Sequence, residues 1–491
     1  MDERARQPVS LPRNGPTVSY WQDPPDRIAD HRTTEELPTS ADVVIIGSGI
    51  TGAAVAWNLL KHVPVPAPSD AAPRIVMLEA RQACSGATGR NGGHTKAASY
   101  RTFTHHVATL GVEEAVKIAR LELANIQAVQ TFAACHNLAV DADVQPCNTV
   151  DVIYDEAEWE AAKSAVQAMR DAMGPEDAAA RYELYSPEAV EEQFYCPSGE
   201  DGDKVYGGVG YFAGSLNAYA FTVGVLRMCL ARGLNLQTGT PAEEVSARGD
   251  GKWEVRTPRG RILARDVVVA TNGYTAALLG AFQGVIVPLR GQVTAQRPGS
   301  NMPFGGSLPT TYSFIYHDGY DYMVPRPAGS RYAGDIVIGG GLVRAENEGL
   351  DEYGTTDDTT VNETISKYLA EITPKYFGEN WGEDHPDGRV RREWTGIMGY
   401  SPDGFPFVGE VPNASGLWIS ASFQGHGMVL CWKCAEALVT MMAGRRDGVD
   451  DDLETWFPSA FRISEERMRK RFLGRLHTSA KPAVPDNDSD L

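Results

Sequence analysis

Cysteine is scarce, positive charge is in deficit and no long undiluted apolar run is present, and each shortage closes off a class of function. The 491 residues hold 7 cysteines, an odd number scattered as Cys84, Cys135, Cys147, Cys196, Cys229, Cys431 and Cys434. That is no secreted disulfide framework and fits a reducing compartment better. Cys431 and Cys434 form a C-x-x-C, but no second such pair or clustered histidine supports a zinc site, so no metal is expected. The pair is expected inside a helix, away from the N-terminal dipole that activates a thiol, and reads as structural rather than redox. Basic residues number 45 against 64 acidic, a net charge of −19 that repels nucleic acid and anionic membranes. The N-terminal MDERARQPVS carries charge where an export signal needs an apolar core, and the terminal NDSDL is no peroxisomal address. Cytoplasmic residence is the expectation. The uncharged stretch from Val43 to Leu60 approaches the roughly 20 apolar residues of a membrane span, but three glycines with Ser48, Thr51 and Asn58 dilute it. No membrane partner is expected.

What that stretch does carry is a nucleotide signature. Val43 to Ile46 has the β-branched density of a buried parallel strand, and Gly47, Gly49 and Gly52 follow in G-x-G-x-x-G spacing as the chain turns into an apolar helix. Gly47 permits the tight turn, Gly49 lets a pyrophosphate approach the backbone, and Gly52 lets the helix pack closely on the strand. The diphosphate then sits at the helix N-terminus, among unpaired N–H groups, with Ile50 and Thr51 beside it. A second strand, Ile75 to Leu78, ends on Glu79, placed to accept from ribose hydroxyls, with Ala80 next to it. An acid there favours FAD or NAD over a 2′-phosphorylated cofactor.

The chain is long enough for two or three domains. Its first forty residues, rich in Pro, Arg, Asp and Thr, read as an extended arm on the surface or partly disordered, pinned by Tyr20 and Trp21. A Pro/Ala insertion, HVPVPAPSDAAP, reads as a surface loop. Helical spacing covers Gly111 to Asn137, Glu156 to Met173, Tyr211 to Leu230 and Val361 to Phe377, and a last helix spans about Met428 to Met442. The strand VVVA ending at Ala270 returns to the first sheet. The segments VIVPLRGQVTAQ, SFIYHDGYDYMVPRP and DIVIGGGLV alternate like antiparallel strands of a second one.

Five segments, in this order, resemble the FAD-dependent amine and amino-acid oxidases of the D-amino-acid oxidase, glycine oxidase and sarcosine oxidase group. They are VIIGSGITG, LEA with CSGATGRNGGH, VVVATNGYT, SPDGFPFVG and SFQGHGM, spanning residues 42 to about 445. The SGATGRNGG segment is closest in style to the gamma-glutamylputrescine oxidase branch. The resemblance implies an α/β fold: a Rossmann-like FAD-binding domain with an interleaved α+β substrate domain on a mostly antiparallel sheet. The expected boundaries are an arm at 1–40, FAD-binding segments at 41–100, 205–285 and 388–445, substrate segments at 101–204 and 286–387, and a C-terminal helix and tail at 446–491. Non-covalent FAD is expected against Gly47, Gly49, Ile50, Thr51, Gly52, Glu79, Ala80, Gly86, Ala87, Thr88, Arg90, Asn91, Gly92, Gly93, Val245, Ala270, Thr271, Asn272, Phe423, Gly425, His426, Gly427 and Met428.

The resemblance implies oxidation of a C–N bond in a small amine or amino acid by hydride transfer to flavin N5, with molecular oxygen as acceptor. Such chemistry depends on orientation more than on a dedicated acid or base. Gly425 and Gly427 precede a helix whose N-terminal N–H groups can face the flavin N1 side. His426 either faces the flavin or satisfies a local hydrogen bond. His94 and Lys96, Tyr316, Tyr320 and Tyr322, and Arg392 with Trp394 are candidate lining residues. A tyrosine stripe at period two is also what one face of a sheet looks like, and Arg389, Arg391 and Arg392 read equally as solvated surface. Two features depart from the family. In TGIMGY, Ile397, Met398 and Gly399 stand where sarcosine oxidases have the cysteine that binds FAD covalently, and DIVIGGG has no oxygen-activating lysine. Lys96 is the nearby substitute, and a histidyl link through His94 stays open. A flavin monooxygenase and a flavoprotein with a non-catalytic assembly role are the alternatives.

Overall fold

Continuous apolar runs build the central strands of one sheet and alternating strands a second, and helical stripes cover their faces. The structure, a computed structural model, describes residues 1–63, 65, 74–199, 203–447 and 453–475. A one-turn helix α1 (Asp2–Ala5) opens the arm, which leads to β1 (Ser40–Ile46), α2 (Ile50–Leu60) and β2 (Ile75–Leu78). A glycine-rich loop then ends in β3 (His94–Thr95), followed by α3 (Tyr100–Leu110), α4 (Val112–Cys135) and β4 (Gln145–Ile153). Next come α5 (Glu156–Met173), β5 (Glu183–Tyr185), α6 (Pro187–Phe194), β6 (Gly207–Ser215) and α7 (Ala218–Ala231). Four strands follow, β7 (Asn235–Gln237), β8 (Glu244–Ala247), β9 (Trp253–Thr257) and β10 (Gly260–Val269). Then come β11 (Val287–Gln296), β12 (Thr311–Tyr316), β13 (Gly319–Pro325), β14 (Ile336–Gly339) and α8 (Glu363–Phe377). Strands β15 (Val390–Tyr400), β16 (Phe407–Glu410) and β17 (Leu417–Ala421) lead into α9 (Cys431–Asp447), α10 (Leu453–Trp456) and α11 (Glu465–Met468).

The first sheet has the order β16-β17-β10-β1-β2-β7, parallel except at β16, with the β8–β9 hairpin paired onto β10. Val43, Ile45, Met77 and Val268 point to one face, into a core shared with α2, α4, α7 and α9. Val44, Ile46, Val76, Leu78, Val267 and Val269 point to the other. This is why the strand reads as continuously apolar: both faces are covered, and each buried aliphatic side chain contributes about 1.5–3 kcal/mol. The second sheet has the order β15-β11-β14-β13-β12-β4-β6-β3 and is antiparallel except for the β4–β12 pair. Helix α8 covers one face of it and α3, α4 and α5 the other.

Several expectations change here. The stretch from Tyr211 is not a helix from its start, because Tyr211 to Ser215 complete β6. Helix α7 begins after Asn217, whose side chain accepts from Ala220 N. Helix α3 and strand β4 were not expected. Strands β3, β6 and β15 hydrogen-bond into the second sheet, although the boundaries 41–100, 205–285 and 388–445 group them with the nucleotide unit. Partner choice is a long-range matter: β15 pairs with β11 along almost its whole length, which no local pattern reveals. Tyr20 and Trp21, the residues expected to pin the arm, are buried. Most of the Pro/Ala insertion lies outside the described residues, as does much of 446–491. Among the described residues no helix is long and apolar enough to cross a membrane.

Candidate active site

The two sheets meet over one cavity of about 510 Å³, within the range of ligand pockets. One end is built by the first glycine turn. Gly47 has φ +107, and a Cβ there would lie 2.6 Å from the Ala270 carbonyl oxygen, so only glycine lets β1 and β10 end side by side. A Cβ at Gly52 would overlap the Gly47 carbonyl oxygen, which explains the close packing of α2 on β1. Gly49 caps α2 without a side chain, leaving its N-terminus toward the cavity, and Thr88 Oγ1 accepts from Ile50 N at 3.0 Å. Glu79 Oε2 accepts from Ser48 Oγ at 2.5 Å and Oε1 from Arg81 N at 3.0 Å, fixing the carboxylate at the strand end.

The glycine-rich loop is held from outside by the arm. Ser19 Oγ donates to Gly89 O at 2.6 Å and Trp21 Nε1 to Asn91 O at 2.5 Å. Arg90, expected to anchor the cofactor, spends its guanidinium on Thr17 Oγ1 at 2.6 Å and Thr395 O at 2.5 Å. Burial pushes its pKa down to about 10, with Asp358 working against that. Arg81 makes a bidentate pair with Asp358 at 3.0 and 2.9 Å, and Asp358 O accepts from Thr17 N at 2.7 Å. Arg90 therefore positions the loop. At Gly92 a Cβ would overlap the Tyr322 ring, which is wedged between Gly92 and Gly339.

Asn272, at φ +46, ties two turns together: its Oδ1 accepts from Ser422 N at 3.0 Å and Phe423 N at 3.2 Å. The Gly425–Met428 turn follows. Asn125 on α4 clamps it by donating to Met428 O at 3.1 Å and accepting from Lys433 N at 2.9 Å. A short 3-10 turn, Gly427–Val429, separates it from α9, which begins at Cys431. The expectation that Cys431 sits well inside that helix is thus corrected. Burial nevertheless pushes its thiol up to about 12, so it is no activated nucleophile.

The other end of the cavity is a chamber of aromatic and ionisable groups. His94, Lys96, Tyr316, Tyr320, Tyr322 and His426 all line it. His94 Nε2 bonds Thr311 Oγ1 at 2.7 Å, and burial, then the charge of Lys96, hold its pKa well below the usual histidine range. Burial likewise lowers His426, whose Nδ1 lies 3.3 Å from Gln424 O. Lys96 pairs with Asp151 and donates to Ser313 Oγ. Tyr100 OH and Tyr211 OH donate to the same aspartate at 2.8 and 2.9 Å. Desolvation lowers the Lys96 pKa and Asp151 partly restores it. Beneath Tyr316, the buried Asp321 accepts from Tyr316, Tyr368 and Tyr376 at 3.2, 2.7 and 2.6 Å.

Most of the expected cofactor contacts line this cavity; Gly52, Gly93 and Val245 do not. Val245 pairs with Val255 in the β8–β9 hairpin, and the chain reaches the cavity three residues earlier, at Ala242. Arg392 also lies away from it, paired with Asp23 of the arm. Sequence reasoning missed Asp151, Asp321, Glu122, Arg101 and Arg475. The first three had a signal, each being a lone acid in an otherwise apolar strand or helix face. Arg475 donates to Tyr400 OH and its backbone N–H to Tyr353 OH, in a C-terminal segment seated by the fully buried Phe472. Tyr400 OH in turn packs against Gly425.

The residues fit FAD: a glycine turn at a helix N-terminus for the diphosphate, a carboxylate at the second strand's end for the ribose, and a backbone turn at the far end for the flavin. The profile of the family described as FAD dependent oxidoreductase (DAO) matches residues 42–441. The chain belongs to that family, and it is an enzyme. Among its relatives, a glycine oxidase of Pseudomonas aeruginosa is 27% identical over 41% of this chain and 48% of its own length, so the match spans about half of that protein. A probable oxidoreductase OrdL of Rhizobium meliloti is 22% identical over 84% of this chain and 85% of its own length. A D-amino acid dehydrogenase of Cereibacter sphaeroides is 23% identical over 83% and 80%. The fold is that of glycine oxidase from Geobacillus kaustophilus, with a TM-score of 0.63, 18% identity and coverage of 87% and 99%. L-amino acid deaminase from Proteus vulgaris superimposes with a TM-score of 0.61 at 16% identity, covering 92% and 98%.

Proposed function

We propose that this protein oxidises a C–N bond of a small amine or amino acid. The observation that carries the reading is that one cavity joins a dinucleotide cradle to a chamber walled by His94, Lys96, Tyr316, Tyr322 and His426. FAD, when bound, supplies the acceptor for a hydride from the substrate α-carbon. The chain's own residues orient and exclude water. Tyr316 and Tyr322 are held rigidly, one by Asp321 and the other between two glycines. His94 and His426 stay neutral, because burial lowers both. Arg101 and Arg475 in the same wall suit a substrate carboxylate. The names of the relatives, glycine oxidase and D-amino acid dehydrogenase, agree with an amino-acid or amine substrate.

Oxygen is the proposed electron acceptor, and FAD is proposed to be bound without a covalent link. One observation favours a second reading, a dehydrogenase with another acceptor: Lys96, the lysine of the chamber, is tied to Asp151 and Ser313. Anaerobic addition of a panel of amines and amino acids should bleach the flavin band, and readmitted air should restore it. Bleaching only by reduced nicotinamide would favour a monooxygenase, and bleaching by none of the panel would overturn the amine reading. Slow recovery in air would favour the dehydrogenase. Acid precipitation should leave the yellow colour in the supernatant; colour in the pellet would overturn the non-covalent assignment.

A further inference from the structure

The cavity wall contains one buried acid that the reading above leaves without a task. Glu122 sits on the inner face of α4, one turn beyond Ile118, and both line the cavity. It is 8% exposed, and its hydrogen-bond partner among the described residues is Ser99 Oγ, at the start of α3. Among the described residues it has no ion-pair partner. The charged or titratable groups on the helices packed against α4 include Arg101, His105 and His106 of α3, Lys163 of α5, Lys433 of α9 and Glu454 of α10. None of them bridges to it. Lys433 and Lys163 are spent on Glu436 and Glu160, and burial holds His106 neutral at a pKa of about 4. Tyr182, ahead of β5, also faces this acid, and the charge on Glu122 helps push its hydroxyl up. A carboxylate buried in a cavity wall costs stability unless a cation meets it, and the cavity is where one can arrive.

We propose that Glu122 with Ser99 forms a subsite that takes a protonated nitrogen of the substrate; this rests on the amine reading. The nitrogen is either the one to be oxidised or a second one on the same molecule, and the chemistry of the contact is the same. Burial raises the proton affinity of the empty subsite to about 7, with Ser99 working in the other direction. A bound ammonium favours the carboxylate, so binding below that pH must expel a proton from Glu122.

Calorimetric titration of the FAD-loaded protein tests this at about pH 6.5, in two buffers of different ionisation heat, where Glu122 is more than half protonated. The probes are tert-butylammonium and a diammonium with both nitrogens on tertiary carbons, neither of which has an α-hydrogen to lose. We expect binding with release of about half a proton or more. Glu122→Gln should bind at least tenfold more weakly with no proton release, and Glu122→Asp should keep the release. Ser99→Ala should move its midpoint to higher pH. Equal affinities of the two cations identify the reacting nitrogen as the occupant, and preference for the diammonium identifies a second one. Unchanged affinity in Glu122→Gln, no proton release by the native protein, or no binding of either cation overturns the proposal. Failure of the amine reading itself shows differently, as no flavin reduction by any amine with ammonium binding intact.

Discussion

Two buried acids, Glu122 in the cavity wall and Asp151 behind Lys96, show how neighbours decide what a carboxyl does. Asp151 is met by the Lys96 ammonium and two tyrosine hydroxyls, so its charge is compensated on every side. Glu122 has a single hydroxyl, and desolvation raises it to about 7. The consequence for stability has a definite sign. Unfolded, a glutamate titrates near about 4.3, so between that value and 7 the folded state holds a proton that the unfolded state has released. Folding is favoured below this window and loses stability as pH rises through it, by about 4 kcal/mol in all at mildly alkaline pH. Glu122→Gln, which carries no charge at any pH, should therefore be the more stable protein at about pH 8 by that order, with the difference vanishing near about pH 4. Urea unfolding of both proteins across this range measures it. A constant difference would mean that Glu122 is charged in the folded protein throughout.

Among the elements, the strand–turn–helix of the nucleotide unit was legible because its information is local: the β-branched run, the three glycines and Glu79 each act on neighbours close in sequence. The arm was legible only at its two pinning aromatics, Tyr20 and Trp21, because the rest of its order comes from partners seventy and more residues away. Trp21 stands out in a polar stretch as a residue that must be buried, but the loop carbonyl of Asn91 that receives its N–H does not. Thr17 is unremarkable until the Arg90 guanidinium reaches it. The chamber was legible in part for the same reason: His94 and Lys96 follow a recognisable loop, whereas Asp151 reaches Lys96 only through the pairing of β4 with β6 and β12. If the arm holds the loop that faces the cofactor, removing it must act on FAD retention as well as on stability. Deletion of residues 1–21 should lower the flavin-to-protein absorbance ratio after gel filtration by tenfold or more. Trp21→Ala alone should cost about 3–5 kcal/mol, as burial of that ring implies. Arg13→Ala, which breaks only a half-exposed pair with Asp357, should change neither by more than about 1 kcal/mol. Full FAD retention by the deletion protein would reduce the arm to a packing element.

At the scale of the whole molecule the charge is divided against itself. The chain carries a net −19, yet the chamber walls bring together Lys96, Arg101 and Arg475, with Asp151 compensating the first. The surface field acts over roughly a Debye length, about 8 Å at physiological salt, and draws cations toward the protein, whereas the chamber rewards an anionic group once contact is made. A protonated amine is thus favoured on approach, and on docking a carboxylate suits Arg101 and Arg475 while an ammonium suits Glu122. Salt screens the first effect far more than the second, because the chamber groups are partly shielded from water. The apparent second-order rate of flavin reduction by a monoamine cation should therefore fall several-fold as salt rises from about 20 to 200 mM. That of a zwitterionic amino acid should change little, and that of an amino dicarboxylate should rise. Rapid mixing at substrate concentrations well below saturation reads the three slopes directly. If all three share one slope, the acidic surface plays no part in substrate choice, and selection rests on the chamber alone.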